Sequence, residues 1–318
     1  MNSLPKQHGN IAIVGAPNAG KSSITNALLG QKLSIVSPKV QTTRNSIRGI
    51  LMMENKQIIL IDTPGIFIPR EDKILERIIV KSAWQGLREA NLVAFVIDAQ
   101  IGANADNLQI LQDLKKENLP IVVLINKIDL VKKSKLLDII NAFVQEGISD
   151  IFPISAKDNY GILELKNFFA SKCQELDWIY DADQLSDAPM AFIASEITRE
   201  KLFLNLVKEL PYAVSVKNDK YEVLNNGEIK IHQTIYVLKE SQKSIILGKN
   251  GQMIKKIGQE SRVDIAEVAG AKVHLFLFVK VKEDWMRNIE NFEKLDIDKL
   301  PAKNNNKKTN NYLKKPNK

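Results

Sequence analysis

The eight residues Gly15-Ala16-Pro17-Asn18-Ala19-Gly20-Lys21-Ser22 leave this chain few folds to choose from. Their spacing, G-x-x-x-x-G-K-[ST], is that of a loop whose glycines let successive backbone N–H groups converge on phosphate oxygens. The lysine adds charge and the serine hydroxyl a magnesium ligand. The flanks support the reading. Asn10-Ile11-Ala12-Ile13-Val14 is a short apolar strand, and Ser23-Ile24-Thr25-Asn26-Ala27-Leu28-Leu29 has the make-up of a helix. A phosphate would then lie at a helix N-terminus, where orphan amides and the helix dipole favour an anion. Gly15, Asn18, Gly20, Lys21 and Ser22 are therefore candidate nucleotide-binding residues.

Strand and helix signals alternate through the rest of the N-terminal half. Strands are expected at 10–14, 46–53, 56–62, 91–98, 120–126 and 150–154, and helices at 21–30, 71–89, 105–117, 133–146 and 161–174. That is the pattern of an α/β domain with a mostly parallel six-stranded sheet and helices on both faces. Only Glu54-Asn55 separates the second strand from the third, too little for a crossover, so those two must pair antiparallel.

Open α/β sheets bind ligands beyond the carboxyl ends of their strands, and three segments with suitable chemistry fall there. Asp62-Thr63-Pro64-Gly65 follows Gln57-Ile58-Ile59-Leu60-Ile61. A carboxylate in that place can hold magnesium through water, and the Gly65 amide can reach a γ-phosphate. From those four residues alone a plain turn reads as well. Asn126-Lys127-Ile128-Asp129 follows Ile121-Val122-Val123-Leu124-Ile125. The Asp129 carboxylate can accept both the N1–H and the exocyclic amine of guanine, a donor pair adenine lacks. Asn126 would tie this loop to the phosphate loop, and Lys127 would lay its stem along the purine. After 151–154 comes Ser155-Ala156-Lys157, where the Ala156 amide can donate to the guanine O6.

These elements, in this order, resemble the translation-factor class of GTPases. The resemblance implies hydrolysis of GTP to GDP with Mg2+ held by Ser22, Asp62 and a switch threonine, and with Lys21, Thr43, Asp62 and Gly65 as the catalytic set. The switch threonine lies in Gln41-Thr42-Thr43-Arg44; Thr43 is assigned, with Thr42 the alternative one position away. The residue after Gly65 is Ile66, where a Ras-like GTPase would carry a glutamine to orient water. Intrinsic turnover is therefore expected to be slow, with help from a partner, a backbone-held water, or a K+ ion near Asn18 as in the potassium-activated relatives the chain resembles.

The chain as a whole has 318 residues, 44% hydrophobic and 26% charged, enough for one large or two medium domains. One cysteine, Cys173, excludes an internal disulfide framework, and three scattered histidines offer no metal-ligand spacing. The longest apolar runs fall short of a membrane span, and the first strand begins too early to leave room for a signal peptide. A cytoplasmic monomer is expected. The net charge of +8 is unevenly placed. Residues 1–189 carry 21 Lys+Arg against 21 Asp+Glu, 190–302 carry 18 against 16, and 303–318 carry 6 against none. A C-terminal polyanion partner follows, either nucleic acid or an acidic membrane surface.

Residues 176–188 are acidic and aperiodic, so the GTPase domain is taken as 1–175 and this stretch as a linker. From 189 the pattern changes. A helix is expected from Pro189 to Leu210, stopped by Pro211. Strand signals follow around Val214 and Val216, a turn at Asn225-Asn226-Gly227, and alternating Ile229, Ile231, Ile235 and Val237. The last strand alternates most regularly, with Val273, Leu275, Leu277, Val279 and Val281 on one side and His274, Phe276, Phe278 and Lys280 on the other. Between them, Gly248-Lys249-Asn250-Gly251 joins two helices. A G-x-x-G turn lets a nucleic-acid backbone approach closely, as in KH domains, although a glycine-capped helix-turn-helix has the same spacing. Lys243, Lys249, Lys255 and Lys256 surround it, and the order of elements is that of a type II KH domain.

A guanine-specific GTPase followed by a type II KH domain resembles the Era family over residues 10 to about 290, down to Pro38-Lys39-Val40-Gln41-Thr42-Thr43-Arg44 and Ile246-Leu247-Gly248-Lys249-Asn250-Gly251. The resemblance implies binding near the 3′ end of small-subunit ribosomal RNA, a role in 30S assembly, and Gly248, Lys249, Asn250, Gly251 and Lys255 as RNA contacts. The KH domain is taken as 189–290 and the Lys/Asn-rich 291–318 as a basic, disordered tail. A second reading stays open from sequence: a signalling GTPase whose C-terminal lysines hold it peripherally on the inner face of the cell membrane.

Overall fold

The computed structural model describes residues 4–36, 46–67, 69, 74–207 and 210–282. The switch segment Pro38–Arg44, with Thr42 and Thr43, and the basic tail 291–318 lie outside the described residues. Packing divides the chain into two units, and each is taken by itself.

The first unit is a sheet in the order β2-β3-β1-β4-β5-β6, made of β1 Gln7–Gly15, β2 Ile47–Met53, β3 Lys56–Asp62, β4 Leu92–Asp98, β5 Ile121–Asn126 and β6 Ile151–Pro153. All neighbours are parallel except the β2–β3 hairpin, where Ile47 faces Asp62 and Met53 faces Lys56. Its helices are α1 Lys21–Leu29, α2 Ile74–Leu87, α3 Ala105–Lys115, α4 Lys133–Gln145 and α5 Ile162–Ser171. β3, β4 and β5 are nearly unbroken apolar runs because both faces are covered. Ala83, Leu87, Ile110, Leu111, Ile139 and Phe143 fill one face, and Ile24, Leu28, Leu165 and Phe169 the other.

Two features differ from the sequence expectation. The helix expected over 161–174 ends at Ser171, and a short strand β7, Gln174–Glu175, pairs antiparallel with the start of β1 and adds a seventh strand off the main path. The acidic stretch after it is held down. The buried Gln57 amide donates to Tyr180 O at 2.8 Å and its oxygen accepts from the Ile179 and Tyr180 amides. Trp178 Nε1 donates to Asn55 O, and the Ile50 amide to Leu185 O. Residues 178–185 are thus a strap on the β2–β3 hairpin.

The second unit is a three-stranded sheet in the order β10-β9-β8, with β8 Ser215–Val223, β9 Ile229–Val237 and β10 Val273–Val281. β8 is antiparallel and β10 parallel to the central β9. Helices α6 Met190–Asn205, α7 Glu240–Leu247 and α8 Gln252–Ala269 complete it. Leu202, Ile235, Val237, Ile246 and Ile257 form its core, with Leu277, Val279 and Val281 packed against them. α6 ends at Asn205, well before Pro211, and Leu210 sits instead on the single turn Leu210–Ala213. The side chain of Asn205, its last residue, donates to Lys201 O at 3.0 Å and Glu260 Oε2 at 2.6 Å, and Leu206 after it is extended. By packing, this unit also takes in the residues following α1. Lys32 Nζ lies 2.5 Å from Glu200 Oε2 and 2.6 Å from Asp264 Oδ2, and the Val36 amide donates to Glu200 Oε1 at 2.7 Å.

Candidate functional site

The loop between β1 and α1 is shaped by its backbone first. Gly20 holds φ +98°, and a Cβ there would lie 2.1 Å from Asn126 Nδ2, so only glycine lets the loop and Asn126 meet. Asn126, buried at the end of β5, donates from Nδ2 to Ala19 O at 3.0 Å and accepts at Oδ1 from the Ala156 N–H at 3.1 Å. One amide side chain thereby fastens the phosphate loop to the Ser155-Ala156-Lys157 loop. It also engages the Ala156 amide that the sequence reading assigned to a base, so a bound base has to share that donor. Lys127 takes φ 64°, and its Nζ donates to Asn18 O at 2.7 Å and pairs with Asp98 Oδ2 at 2.7 Å. Asp129 is exposed, with Oδ1 accepting from Ser155 Oγ at 2.9 Å; the same Oγ lies 3.1 Å from Asp158 Oδ2.

At the phosphate end, Lys21 is buried and donates to Gly15 O at 3.1 Å and Ala16 O at 2.9 Å. Burial pulls its ammonium down to about 8, with the Asp62 charge acting in the opposite sense. A desolvated cation of this kind gains from the arrival of phosphate charge. Asp62 is wholly buried at the end of β3, and Ser22 stands in the first turn of α1. A carboxylate and a hydroxyl fit magnesium, which keeps several waters and takes the rest of its ligands from substrate phosphates. Among the described residues no group of three or more His, Cys, Asp or Glu gathers to make an all-protein metal cage.

The loop after β3 closes on the phosphate loop. Thr63 Oγ1 donates to Ile13 O at 2.8 Å, and a Cβ on Gly65 would come within 2.8 Å of the Pro17 nitrogen. Ile66 is wholly buried among Ala12, Val14 and Ala83, with its amide donating to Gly15 O at 3.0 Å. Its side chain is a core residue. The sequence reading missed Asp98 and Asp158, which position Lys127 and Ser155. Asp98 carried the same signal as Asp62, a carboxylate closing an apolar strand.

In the second unit, Gly248 has φ +71°, and a Cβ there would sit 2.7 Å from Met253 Cβ and 2.9 Å from Met253 N. Asn250 and Gly251 also take positive φ, 52° and 75°, and a Cβ on Gly251 would meet open space. The turn therefore presents backbone outward between α7 and α8, with Lys249, Asn250 and Lys255 exposed on it. Ile246 and Ile257 anchor the two helices in the core while Ile245 and Leu247 stay exposed beside the turn.

Fold and sites together define a P-loop GTPase carrying a KH domain. The family model described as a 50S ribosome-binding GTPase matches residues 10–127, and that of the KH domain matches residues 209–286. The chain is 46% identical over 290 residues to the GTPase Era of Rickettsia bellii, covering 91% of this chain and 97% of the relative. It is 45% identical over 298 residues to that of Agrobacterium fabrum, covering 93% of each. Among solved structures, Era in complex with MgGDPNP and nucleotides 1506–1542 of 16S ribosomal RNA superposes with a TM-score of 0.86 at 36% identity, covering 92% of this chain and 99% of the other. A point variant of Aquifex aeolicus Era bound to GDP and aluminium fluoride also gives 0.86, at 35% identity, covering 91% and 99%. The chain belongs to the Era family of GTPases.

Proposed function

We propose that the chain binds GTP with Mg2+, hydrolyses it, and uses the nucleotide state to time its binding near the 3′ end of small-subunit ribosomal RNA during 30S assembly. The observation that carries the nucleotide half is the Asn126 bridge, which ties the phosphate loop to the Ser155-Ala156-Lys157 loop. The RNA half is supported by the exposed Gly248–Gly251 turn and by the solved Era complex with 16S ribosomal RNA. A cytoplasmic site of action is the one that use of GTP and ribosomal RNA supports. Among the described residues no helix is long and apolar enough to cross a membrane.

In this reading Asp129 selects guanine, Lys21 lies along the β- and γ-phosphates, and Ser22, Thr43 and Asp62 hold the magnesium and its waters. When bound, Mg2+ neutralises the charge that develops between the β- and γ-oxygens. The Gly65 amide adds a fixed donor on the γ-phosphate side. No side-chain base is assigned, since Ile66 is buried. The missing assistance comes from a partner, a held water or K+ near Asn18, and turnover measured in K+ against Na+ separates the third from the others.

The test of the RNA half replaces Lys249 and Asn250 by Asp. Both are exposed and both glycines survive, whereas a side chain on Gly248 would collide with Met253. The double variant should lose RNA binding at fixed salt while keeping GTP affinity. Retained RNA affinity would refute the assignment, and binding to acidic vesicles with no RNA binding in the unmodified chain would favour the membrane reading.

A further inference from the structure

The outer face of the β10-β9-β8 sheet carries a pattern that the G-x-x-G turn does not use. Core packing turns Ile229, Ile231, Ile235 and Val237 of β9 inward, with Leu277, Val279 and Val281 of β10 beside them. The alternation of a strand therefore sends Lys230, His232, Thr234 and Tyr236, and His274, Phe276, Phe278 and Lys280, to the opposite face. Register makes the rows explicit: Lys220, His232 and Phe276 lie across the three strands in one row, and Lys217, Thr234 and Phe278 in the next.

Phe276 and Phe278 are 44% and 49% exposed, and no other phenylalanine among the described residues is exposed. Large exposed aromatics side by side on a sheet are not explained by core formation. They are also held in place. The His232 ring lies 4.8 Å from Phe276 at 31° and 6.1 Å from Phe278 at 22°, a near-parallel shelf under both. Lys230 Nζ stands 5.9 Å from the Phe276 centroid, and Lys282 Nζ 5.6 Å from that of Tyr236. Lys217, Lys220 and Lys280 complete the basic rim. Against it stand Glu222, paired with Lys220 at 2.6 Å, Asp219, bonded to Thr234 Oγ1 at 2.5 Å, and Glu228, held by His274 and Lys272 at the end of the face.

Two aromatic rings at i and i+2 on one strand, ringed by cations, are what a single strand of nucleic acid with splayed bases requires: π-faces for successive bases and positive charge for its phosphates. An apolar protein partner would need no cationic rim, and a lipid surface would use the lysines without the ring shelf. We propose that this sheet face is a second single-stranded RNA site, on which adjacent bases stack on Phe276 and Phe278 while the Gly248–Gly251 turn holds another part of the same strand. The inference rests on the reading of the chain as an RNA-binding protein but uses residues outside that turn.

The test is Phe276→Trp in the full chain, read as the difference from the unmodified protein with its three tryptophans. A short oligouridylate should quench the added fluorescence, and should do so equally in the Lys249→Asp, Asn250→Asp background. Inorganic polyphosphate, which has charge but no bases, should leave the emission unchanged. Phe276→Ala with Phe278→Ala should weaken RNA binding about fivefold or more, the loss expected of even one stacked base, with thermal midpoint and GTP affinity unaltered. Absence of quenching, equal quenching by polyphosphate, or quenching that disappears in the turn variant would overturn the proposal. So would a tryptophan shielded from iodide before RNA is added, which would mean that another part of the chain or a second copy covers the face. Failure of the turn variant to lose any RNA affinity, with quenching intact, would instead sink the turn assignment and spare this one.

Discussion

Asp129 stands exposed with one carboxylate oxygen already accepting from Ser155 Oγ, and under the proposed function it presents an acceptor of fixed direction to a base with two donors. Asp129→Asn keeps an oxygen for Ser155 and replaces the other acceptor by a donor. GTP affinity should fall at least ~100-fold, ~3 kcal/mol, and xanthosine triphosphate should bind better than GTP, as measured by competition titration. At the phosphate end, Lys21→Ala should abolish turnover. Ile66→Ala should cost about 2–5 kcal/mol of stability, because Ile66 is wholly buried in the core, yet leave turnover per folded molecule within a few fold. A loss of turnover equal to that of Lys21→Ala would assign Ile66 a chemical role. The loops that gather around Asn126 were legible because each carries a short motif after an apolar strand. Asp98 was not, because it acts on another side chain and the Asp98–Lys127 pair exists only once β4 and β5 lie side by side; Asp158 bonds Ser155 three residues before it, a local contact whose serine and aspartate carry no motif of their own.

At the scale of elements, the strands and the antiparallel β2–β3 pair could be read from apolar runs and the length of the turn between them, while the strap after β7 could not. Nothing in an acidic, aperiodic stretch announces that Gln57, on another element, will satisfy three of its backbone groups. Gln57→Leu fills the same space and leaves those groups without it. It should destabilise the strap by ~2–3 kcal/mol and open 178–185 to limited proteolysis, with the remainder of the first unit resistant. The end of α6 was misplaced for the same reason, since its last residue, Asn205, is held by Glu260 of a distant helix. In the second unit, Glu228 ties the turn between β8 and β9 to β10. His274 Nε2 at 2.6 Å and Lys272 Nζ at 2.8 Å hold its carboxyl down to about 2. A depressed carboxyl contributes stability that is present above its ordinary value near 4.5 and lost as pH falls through the folded value. Glu228→Gln should therefore flatten the acid limb of the stability profile between about pH 4.5 and 2, as followed by denaturant titration at each pH.

For the whole molecule, a GTPase and an RNA clamp on one chain form a switch only if nucleotide and RNA alter each other's binding by the same factor. The chain offers a route through residues 30–36, which follow α1 and lead into Pro38–Arg44, yet pack with the second unit. Their anchor is Lys32. Burial disfavours its charge, but hydrogen bonds to Asp264 and Glu200 outweigh that and raise its pKa. Lys201 holds Asp264 from the other side at 2.6 Å, and Glu200 is buried. If GTP orders the switch through Thr43, tension or slack in this short segment is passed to α6 and α8, and single-stranded RNA should bind the GTP state more tightly than the GDP state. Lys32→Ala should cost ~1–2 kcal/mol of stability, discounted because a third of the side chain is exposed. It touches neither the nucleotide pocket nor the Gly248–Gly251 turn, so each affinity measured alone should stay within a few fold. What should collapse is their ratio: titration of one labelled RNA against protein loaded with GDP or a non-hydrolysable GTP analogue should show two affinities for the unmodified chain and one for the variant. Two equally separated affinities in Lys32→Ala would place the coupling elsewhere, and a single affinity in the unmodified chain would mean that the two activities are not linked.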